Sequence, residues 1–209
     1  TGQIIENKGG LVKKSMVKTG ENSISWVSKY GSMTFNQFGK EFPLGGMNEK
    51  GLVVEVLWLE EAKYPAQDNR KSINELQWIQ YQLDNYTSVT EVINSDKFLR
   101  INAEQGNLHY MIADKSGNSA TIEFINGRTV ITQGANLQFN VLTNNTMAES
   151  TSYLQTQQGF GGSVPISKKI ESKDRYVRTC KNMKDYKGGK AVEYAFERRK
   201  DVSYSATVW

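Results

Sequence analysis

The feature that most constrains this chain is a glycine-rich segment that runs directly into an apolar segment of strand length. Residues 45–52 read Gly-Gly-Met-Asn-Glu-Lys-Gly-Leu. Their glycines and asparagine favour a turn, because these residues adopt positive φ at little cost. Residues 53–59 read Val-Val-Glu-Val-Leu-Trp-Leu, which predicts a buried β-strand. The strand should deliver Trp58 and Glu60 to its far end, where side chains can face a cleft.

The rest of the chain alternates between blocks of strands and blocks of helices. Period-two patterns and turn residues predict strands over 24–28, 33–38, 108–113, 120–124, 128–132 and 139–143, and the start of another at 206–209. Asn126-Gly127 is the strongest hairpin signal. Helical spacing predicts helices from Ser72, over 89–98 behind Ser88, and over 172–186 and 191–199. Ser72 with Glu75 has the pattern of a capping box. This order favours an α+β fold with largely antiparallel sheets over a doubly wound fold.

Length and composition allow one globular domain across residues 1–209, with 38% hydrophobic and 23% charged residues. No apolar run approaches the ~20 residues needed to cross a bilayer. The N-terminus lacks the basic and apolar regions of a signal peptide, which leaves the compartment open between periplasm and cytoplasm. One cysteine and one histidine exclude an internal disulfide and argue against a Cys/His zinc site. We therefore expect no metal and no cofactor.

The positive charge is concentrated near the C-terminus. Residues 168–201 carry 12 Lys and Arg against 6 Asp and Glu, although the whole chain carries only +4. Such a segment could bind nucleic acid through phosphate contacts. The lysines recur at roughly helical spacing, however, and no nucleic-acid-binding motif accompanies them. We interpret the segment as a solvated helix face and keep a nucleic-acid-binding module as the last-ranked hypothesis.

No complete catalytic constellation is visible in the residues themselves. His109 lies in an apolar strand pattern without a second histidine, so a structural role is favoured. Cys180 lies on a predicted helix and is interpreted as a small buried hydrophobe rather than a nucleophile. Three glutamates, at 55, 60 and 61, lie on the strand described above and at its exit, and solvated surface is their default interpretation. The residues alone indicate an α+β domain with an incomplete active site.

Several segments, taken in order, resemble the choloylglycine hydrolase and penicillin V acylase family of N-terminal-nucleophile (Ntn) hydrolases. They are residues 26–32, the turn at 46–52 with its strand to Trp58, and residues 74–78, 108–110, 114–117, 141–145 and 172–176. The resemblance spans essentially the whole chain. It implies a four-layer αββα sandwich of two mostly antiparallel sheets, incomplete here at both ends. It also implies hydrolysis of a non-peptide C–N amide bond, as in penicillin V, an N-acyl homoserine lactone or a conjugated bile salt.

Three site residues carry over from the resemblance. Asn144 matches the asparagine whose side chain helps build the oxyanion hole, where one donor contributes about 3–4 kcal/mol. Trp58 matches the other oxyanion contributor, which acts through its backbone N–H, and its ring would form an acyl-pocket wall. Arg175 matches an active-site arginine that favours thiolate over thiol. Each also has a structural interpretation: Asn144 as a strand end, Trp58 as core, and Arg175 as a surface helix residue.

The resemblance places the family's nucleophilic cysteine upstream of Thr1, together with an arginine and an aspartate. We therefore expect this chain to be an internal piece of a longer bacterial protein, closer to the acylases of Gram-negative bacteria because of Trp58. The cysteine's own α-amine, with a pKa of roughly 7.7–8, would serve as the base. The partners implied are a small acyl amide substrate and further copies in a homo-oligomer, a tetramer by analogy. The alternative is a non-catalytic relative that binds amphipathic ligands.

Overall fold

The structure, a computed structural model, describes residues 2–102 and 106–203. The chain divides into two compact units, Thr1–Gln138 and Phe139–Trp209. The strand predicted to start at residues 206–209 lies outside the described residues. Within the described ranges, no helix is both long and apolar enough to cross a membrane.

The first unit is built around one large antiparallel sheet. The strands are β1 (Gln3–Asn7), β2 (Val12–Lys14), β3 (Ser25–Val27), β4 (Ser32–Asn36), β5 (Pro43–Asn48), β6 (Val53–Trp58), β7 (Lys71–Ile73), β8 (Leu99–Ile101), β9 (Leu108–Ala113), β10 (Ser119–Ile125) and β11 (Arg128–Gln133). The large sheet has the strand order β1-β4-β5-β6-β9-β10-β11, while β2 pairs antiparallel with β3 and β7 pairs parallel with β8. This confirms the expected α+β fold with mostly antiparallel pairing.

Two helices, α1 (Glu75–Asn85) and α2 (Val89–Ser95), cover one face of this sheet. Side chains that alternate along the central strands form the core with them, because every second residue of a strand faces the same side. Tyr110 packs its ring on Trp78 of α1 with the centroids 4.5 Å apart. Val54 and Ile79 are fully buried in the same cluster.

The start of α1 differs from the prediction. Ser72 is not the cap, because it pairs with Arg100 in the β7–β8 ladder. Asn74 caps the helix instead, and its side-chain oxygen accepts the backbone N–H of Leu76 at 2.9 Å and of Gln77 at 3.4 Å. The predicted capping box at Ser72 is therefore wrong, whereas Ser88 does cap α2 as expected.

The glycine-rich segment is only partly a turn. Gly45 and Gly46 belong to β5, so the expectation of a turn over 45–52 is wrong for its first half. The turn itself spans 48–52, where Gly51 has φ +83°. The side-chain oxygen of Asn48 accepts the N–H groups of Lys50 at 3.1 Å and Leu52 at 3.0 Å. The turn therefore depends on Asn48 and Gly51.

The second unit is helical, with α3 (Met147–Gln155), α4 (Ser172–Asp185) and α5 (Ala191–Arg198). The last two were predicted from their periodicity, while α3 was missed. The strand predicted over 139–143 is wrong: the backbone there makes a bend, in which the N–H of Val141 donates to the carbonyl of Phe139 at 2.8 Å. Within the described residues this segment joins no strand, and a strand requires a partner for its backbone groups.

Candidate functional site

Trp58 lies at the end of β6 in the first unit, as the sequence predicted. Its side chain is 48% exposed. The indole N–H donates to the Glu60 carboxylate at 2.8 Å, which brings together the two side chains expected at this strand end. The backbone of Trp58 pairs with Leu108 of β9. A large aromatic side chain at a strand end, half open to solvent and anchored at its polar edge, is suited to line a pocket for an apolar group.

The ring of Trp58 lies over Gly106. A Cβ placed on Gly106 would stand 3.2 Å from the Cζ3 atom of the indole ring, closer than ordinary van der Waals contact. The N–H of Gly106 donates to the buried carboxylate of Glu75 at 3.0 Å. Sequence reasoning missed Gly106, because Trp58 and Glu75, which it contacts in the structure, are far from it along the chain.

Asn144 and Arg175 come together in the second unit. The Nη2 atom of Arg175 donates to Oδ1 of Asn144 at 2.7 Å, and Nε donates to the carbonyl of Ile170 at 3.1 Å. A guanidinium has donors only, so the atom of Asn144 that faces it must be the carbonyl oxygen. This contact fixes the orientation of the amide, with Nδ2 as its donor end. The amide is thereby held as an N–H donor, which is the property an oxyanion hole requires.

Arg175 occupies a place where the helix itself does not favour a cation. It lies in the first turn of α4, where the helix dipole is positive and acidic side chains are preferred. Two of its partners, the amide oxygen of Asn144 and the backbone carbonyl of Ile170, are neutral. These neutral acceptors hold the guanidinium beside Asn144.

Two polar contacts connect the segments that carry this pair. The hydroxyls of Thr143 and Ser172 are 3.1 Å apart, next to Asn144 on one side and at the start of α4 on the other. The hydroxyl of Tyr153 in α3 donates to Asp174 at 2.8 Å. The first contact joins the start of α4 to the residue next to Asn144, and the second joins α4 to α3, the helix that follows Asn144.

His109 and Cys180, for which the sequence favoured structural roles, are both buried. His109 is fully buried, with Nδ1 3.4 Å from Oε1 of Glu123. Cys180 is fully buried on α4, and burial raises the pKa of its thiol to about 12. A thiol with so high a pKa holds almost no thiolate at neutral pH, and the thiolate is the reactive form. This geometry supports interpreting Cys180 as a packed side chain.

Glu55 is exposed, as the sequence favoured, but its carboxyl group has an environment that the sequence did not indicate. Its carboxyl group lies against β5 at Gly45, where a Cβ would stand 2.1 Å from Oε2. Burial of the carboxyl group raises the pKa of Glu55 to about 7, although the residue as a whole remains exposed. Nothing in the local sequence marks this, because it results from a glycine on the neighbouring strand.

The described residues contain no set of three or more His, Cys, Asp or Glu side chains placed to hold a metal ion. The candidate site residues are Trp58 in the first unit and the Asn144–Arg175 pair in the second.

Comparison with known proteins identifies the family. Residues 11–174 match the model of the linear amide C–N hydrolases of the choloylglycine hydrolase family. The chain belongs to this family. The match includes Trp58 and Asn144 and runs from the first unit into the second, ending one residue before Arg175. It confirms the resemblance inferred from the sequence.

The relatives found are acylases and bile acid hydrolases. The chain is 32% identical over 198 residues to a penicillin V acylase of Pectobacterium atrosepticum, covering 87% of this chain and 52% of the acylase. It therefore spans about half the length of this relative. The structure of penicillin V acylase from Agrobacterium tumefaciens is similar with a TM-score of 0.82 and 29% identity, over 100% of this chain and 66% of that one.

A bile acid hydrolase supports the fold alone. A variant of conjugated bile acid hydrolase from Clostridium perfringens is similar with a TM-score of 0.75 and 19% identity, covering 99% of this chain and 72% of that one. Identity this low carries no information about substrate. The fold is therefore shared by relatives whose names give different substrates.

Proposed function

We propose that the protein carrying this chain hydrolyses a non-peptide C–N amide bond of a small acyl amide. Penicillin V, N-acyl homoserine lactones and conjugated bile salts are the substrate types considered. Membership of the linear amide C–N hydrolases supports the reaction class. The 32% identity to a penicillin V acylase supports an acylase.

The observation that carries the proposal is the 2.7 Å contact from Arg175 to Oδ1 of Asn144. In the proposed reaction a nucleophile attacks the amide carbonyl, whose oxygen becomes negatively charged in the tetrahedral intermediate. Asn144 would donate through Nδ2 to that oxygen. That the backbone N–H of Trp58 also acts as an oxyanion donor stays a prediction from the resemblance. A donor oriented before the reaction stabilises the developing charge without having to reorganise.

The nucleophile in this proposal is an N-terminal cysteine that precedes this chain, with its α-amine as the base. An α-amine with a pKa near 8 can take the thiol proton and later deliver it to the leaving amine. Attack then breaks the C–N bond and leaves a thioester, which water hydrolyses to release the acid. That residues 1–209 form part of a single Ntn domain, and that the protein is a homo-oligomer, stay predictions.

Replacing Asn144 tests the proposal in the protein that carries the nucleophile. Asn144→Ala should lower kcat by about 10²- to 10³-fold and change KM far less, because the amide acts on the transition state. Asn145→Ala is the matched control: it removes the neighbouring amide, which instead donates to Glu149 at 3.1 Å on the surface. The control should keep its activity. An unchanged kcat in Asn144→Ala would exclude Asn144 from the oxyanion hole.

Arg175 tests how the amide is oriented. Arg175→Ala should also lower kcat, since Asn144 loses the donor that fixes its oxygen. The double variant with Asn144→Ala should be little worse than Asn144→Ala alone, because both changes remove one interaction. Fully additive losses would instead indicate that Arg175 acts separately, as a cation that favours the thiolate.

A further inference from the structure

We propose that Gly106 is a specificity-determining residue, because its lack of a side chain sets the position of the Trp58 ring. The Tyr64 hydroxyl and the Glu75 carboxylate are positioning residues that hold the backbone of Gly106 in place. The inference rests on the proposed function and on the expectation, taken from the resemblance, that the Trp58 ring forms a wall of the acyl pocket. All of these residues belong to the first unit. The contact between the glycine and the ring carries the inference.

The ring of Trp58 limits the space for a side chain at Gly106. A Cβ there would meet Cζ3 of Trp58 at 3.2 Å and the Cγ and Cδ2 atoms of Leu108 at 3.5 Å. The residue is not among the glycines of positive φ, so its backbone is one that any residue can adopt. Steric contact with the ring is therefore what a larger residue would meet. Any side chain at this position must push the indole by a few tenths of an ångström or be pushed itself.

The backbone at Gly106 is fixed from two sides. Its N–H donates to Oε1 of Glu75 at 3.0 Å, and Glu75 is fully buried at the first position of α1. Its carbonyl accepts the hydroxyl of Tyr64 at 3.2 Å. The same hydroxyl accepts the N–H of Leu108 at 3.1 Å, two residues further along. Glu75 and Tyr64 therefore fix the position of the Gly106 backbone, against which the ring of Trp58 packs.

The two positioning residues are themselves anchored in the core. The Tyr64 ring stacks on Phe124 with the centroids 4.6 Å apart. The hydroxyl of Tyr110 donates to the backbone carbonyl of Glu75 at 2.8 Å, and Tyr110 is fully buried. Burial raises the pKa of the Tyr64 hydroxyl, so it stays protonated and keeps its role as a donor. The residues that fix Gly106 are thus part of the buried core.

The geometry separates the ring of Trp58 from its backbone. The backbone is held by the β6–β9 ladder opposite Leu108, while the ring rests on Gly106. A change at Gly106 should therefore move the pocket wall without moving the backbone N–H. Its effect should appear in KM and in the preference among acyl groups, and much less in kcat. A purely structural role would lower stability without changing that preference.

The test uses Gly106→Ala in the complete enzyme. We expect the ratio of kcat/KM for a bulky against a small acyl amide to change by at least about threefold. This is less than the roughly 10- to 200-fold that one methylene produces in direct contact with a ligand, because the added methyl acts through the ring of Trp58. Acrylamide quenching of Trp58 fluorescence, taken as the difference from Trp58→Phe, should change as well. Tyr64→Phe keeps the stacked ring but removes the hydroxyl. It should change both the kcat/KM ratio and the quenching of Trp58, but by less than Gly106→Ala does.

The matched control repeats Gly106→Ala in the Trp58→Phe background. Phenylalanine lacks the ring atom that a Cβ at Gly106 would meet, so the added methyl should have little effect on selectivity there. An equal effect in both backgrounds would overturn the proposal, as would unchanged quenching of Trp58 in Gly106→Ala.

The outcomes also separate this inference from the proposed function. If Gly106→Ala alters Trp58 quenching but not selectivity, while Trp58→Phe does alter selectivity, Gly106 is not a specificity determinant although Trp58 remains a pocket wall. If Trp58→Phe leaves kcat/KM unchanged for every acyl amide, the role proposed for Trp58 fails. The Glu75→Gln variant keeps an oxygen acceptor for Gly106 and should preserve the wild-type quenching; its loss would contradict the role of Glu75.

Discussion

At the scale of single residues, Glu55 shows how one missing side chain changes the chemistry of its neighbour. Glu55 alternates with the core residue Val54 and therefore points to the face of the sheet opposite the helices. Across the strands it lies beside Gly45, whose missing side chain lets the carboxyl group settle against β5. Burial raises its pKa from 4.5 to about 7. Below about pH 4.5 the group is neutral in both the folded and the unfolded state. Between the two values the folded state binds more protons, so stability falls as the pH rises.

Glu55→Gln should therefore stabilise the protein at pH 8 and have almost no effect at pH 4. The gain at pH 8 should be modest, since the residue is exposed enough for solvent to screen its charge. Urea unfolding at the two pH values measures it. Glu61→Gln is the control, because Glu61 is an exposed glutamate that follows the same strand. A Glu55→Gln variant with equal effects at pH 4 and pH 8 would contradict the raised pKa.

At the scale of elements, β5 contains two glycines whose tolerance to substitution should differ. A Cβ on Gly46 would stand 2.4 Å from the backbone carbonyl oxygen of Met33, which the β4–β5 ladder holds in place. A Cβ on Gly45 would meet the end of the Glu55 side chain, which can rotate away. Gly46→Ala should therefore lower the free energy of unfolding by about 2 kcal/mol or more, as overpacking does. Gly45→Ala should cost clearly less. Denaturant unfolding of the two variants measures the difference, and equal losses would show that the contact with Met33 is not limiting.

Elements whose signals are local were predictable from the sequence. The hairpin at Asn126 and Gly127 has the two positive φ values, +52° and +76°, that its residue types favour. β5 was missed because Gly45 and Gly46 have the composition of a turn. They lie in a strand because atoms of the neighbouring strands occupy the space where a Cβ would stand. The cap at Asn74 was missed because Ser72 is an equally good cap residue, and only its pairing with Arg100 places it in a strand. Segment 139–143 has the composition of a strand but no strand to pair with among the described residues.

The candidate site was less predictable than the elements. Asn144 and Arg175 are 31 residues apart, and only a resemblance selected them from the chain. Their hydrogen bond is a tertiary contact that no periodicity encodes. Gly106 and Tyr64 are 42 residues apart, and Gly106 and Glu75 are 31 apart. Contacts at such separations are set by how strands and helices pack, which the sequence pattern does not specify.

At the scale of the whole molecule, the division into two compact units makes a prediction about cooperative unfolding testable. The sequence predicted one domain over residues 1–209, and the family match crosses the boundary between Gln138 and Phe139. A domain that folds as one unit loses all of its structure in a single transition, so probes in different places report the same midpoint. The chain carries a suitable probe in each unit. Trp26 and Trp78 are buried in the first, and Cys180 is buried in the second.

We predict that the two probes will unfold together in the 209-residue chain. Cys180 is its only cysteine, and in the folded state burial raises the pKa of the thiol to about 12, so labelling at pH 8 should be very slow. In the unfolded chain the thiol regains a pKa near 8.5 and reacts readily. In a Trp209→Phe variant, in which every remaining tryptophan belongs to the first unit, labelling of Cys180 and tryptophan emission should therefore give coincident midpoints in urea. Cys180→Ser provides the blank for labelling. Midpoints that differ by more than the error of the fits would contradict a single domain, and the probe that changes first would identify the less stable unit.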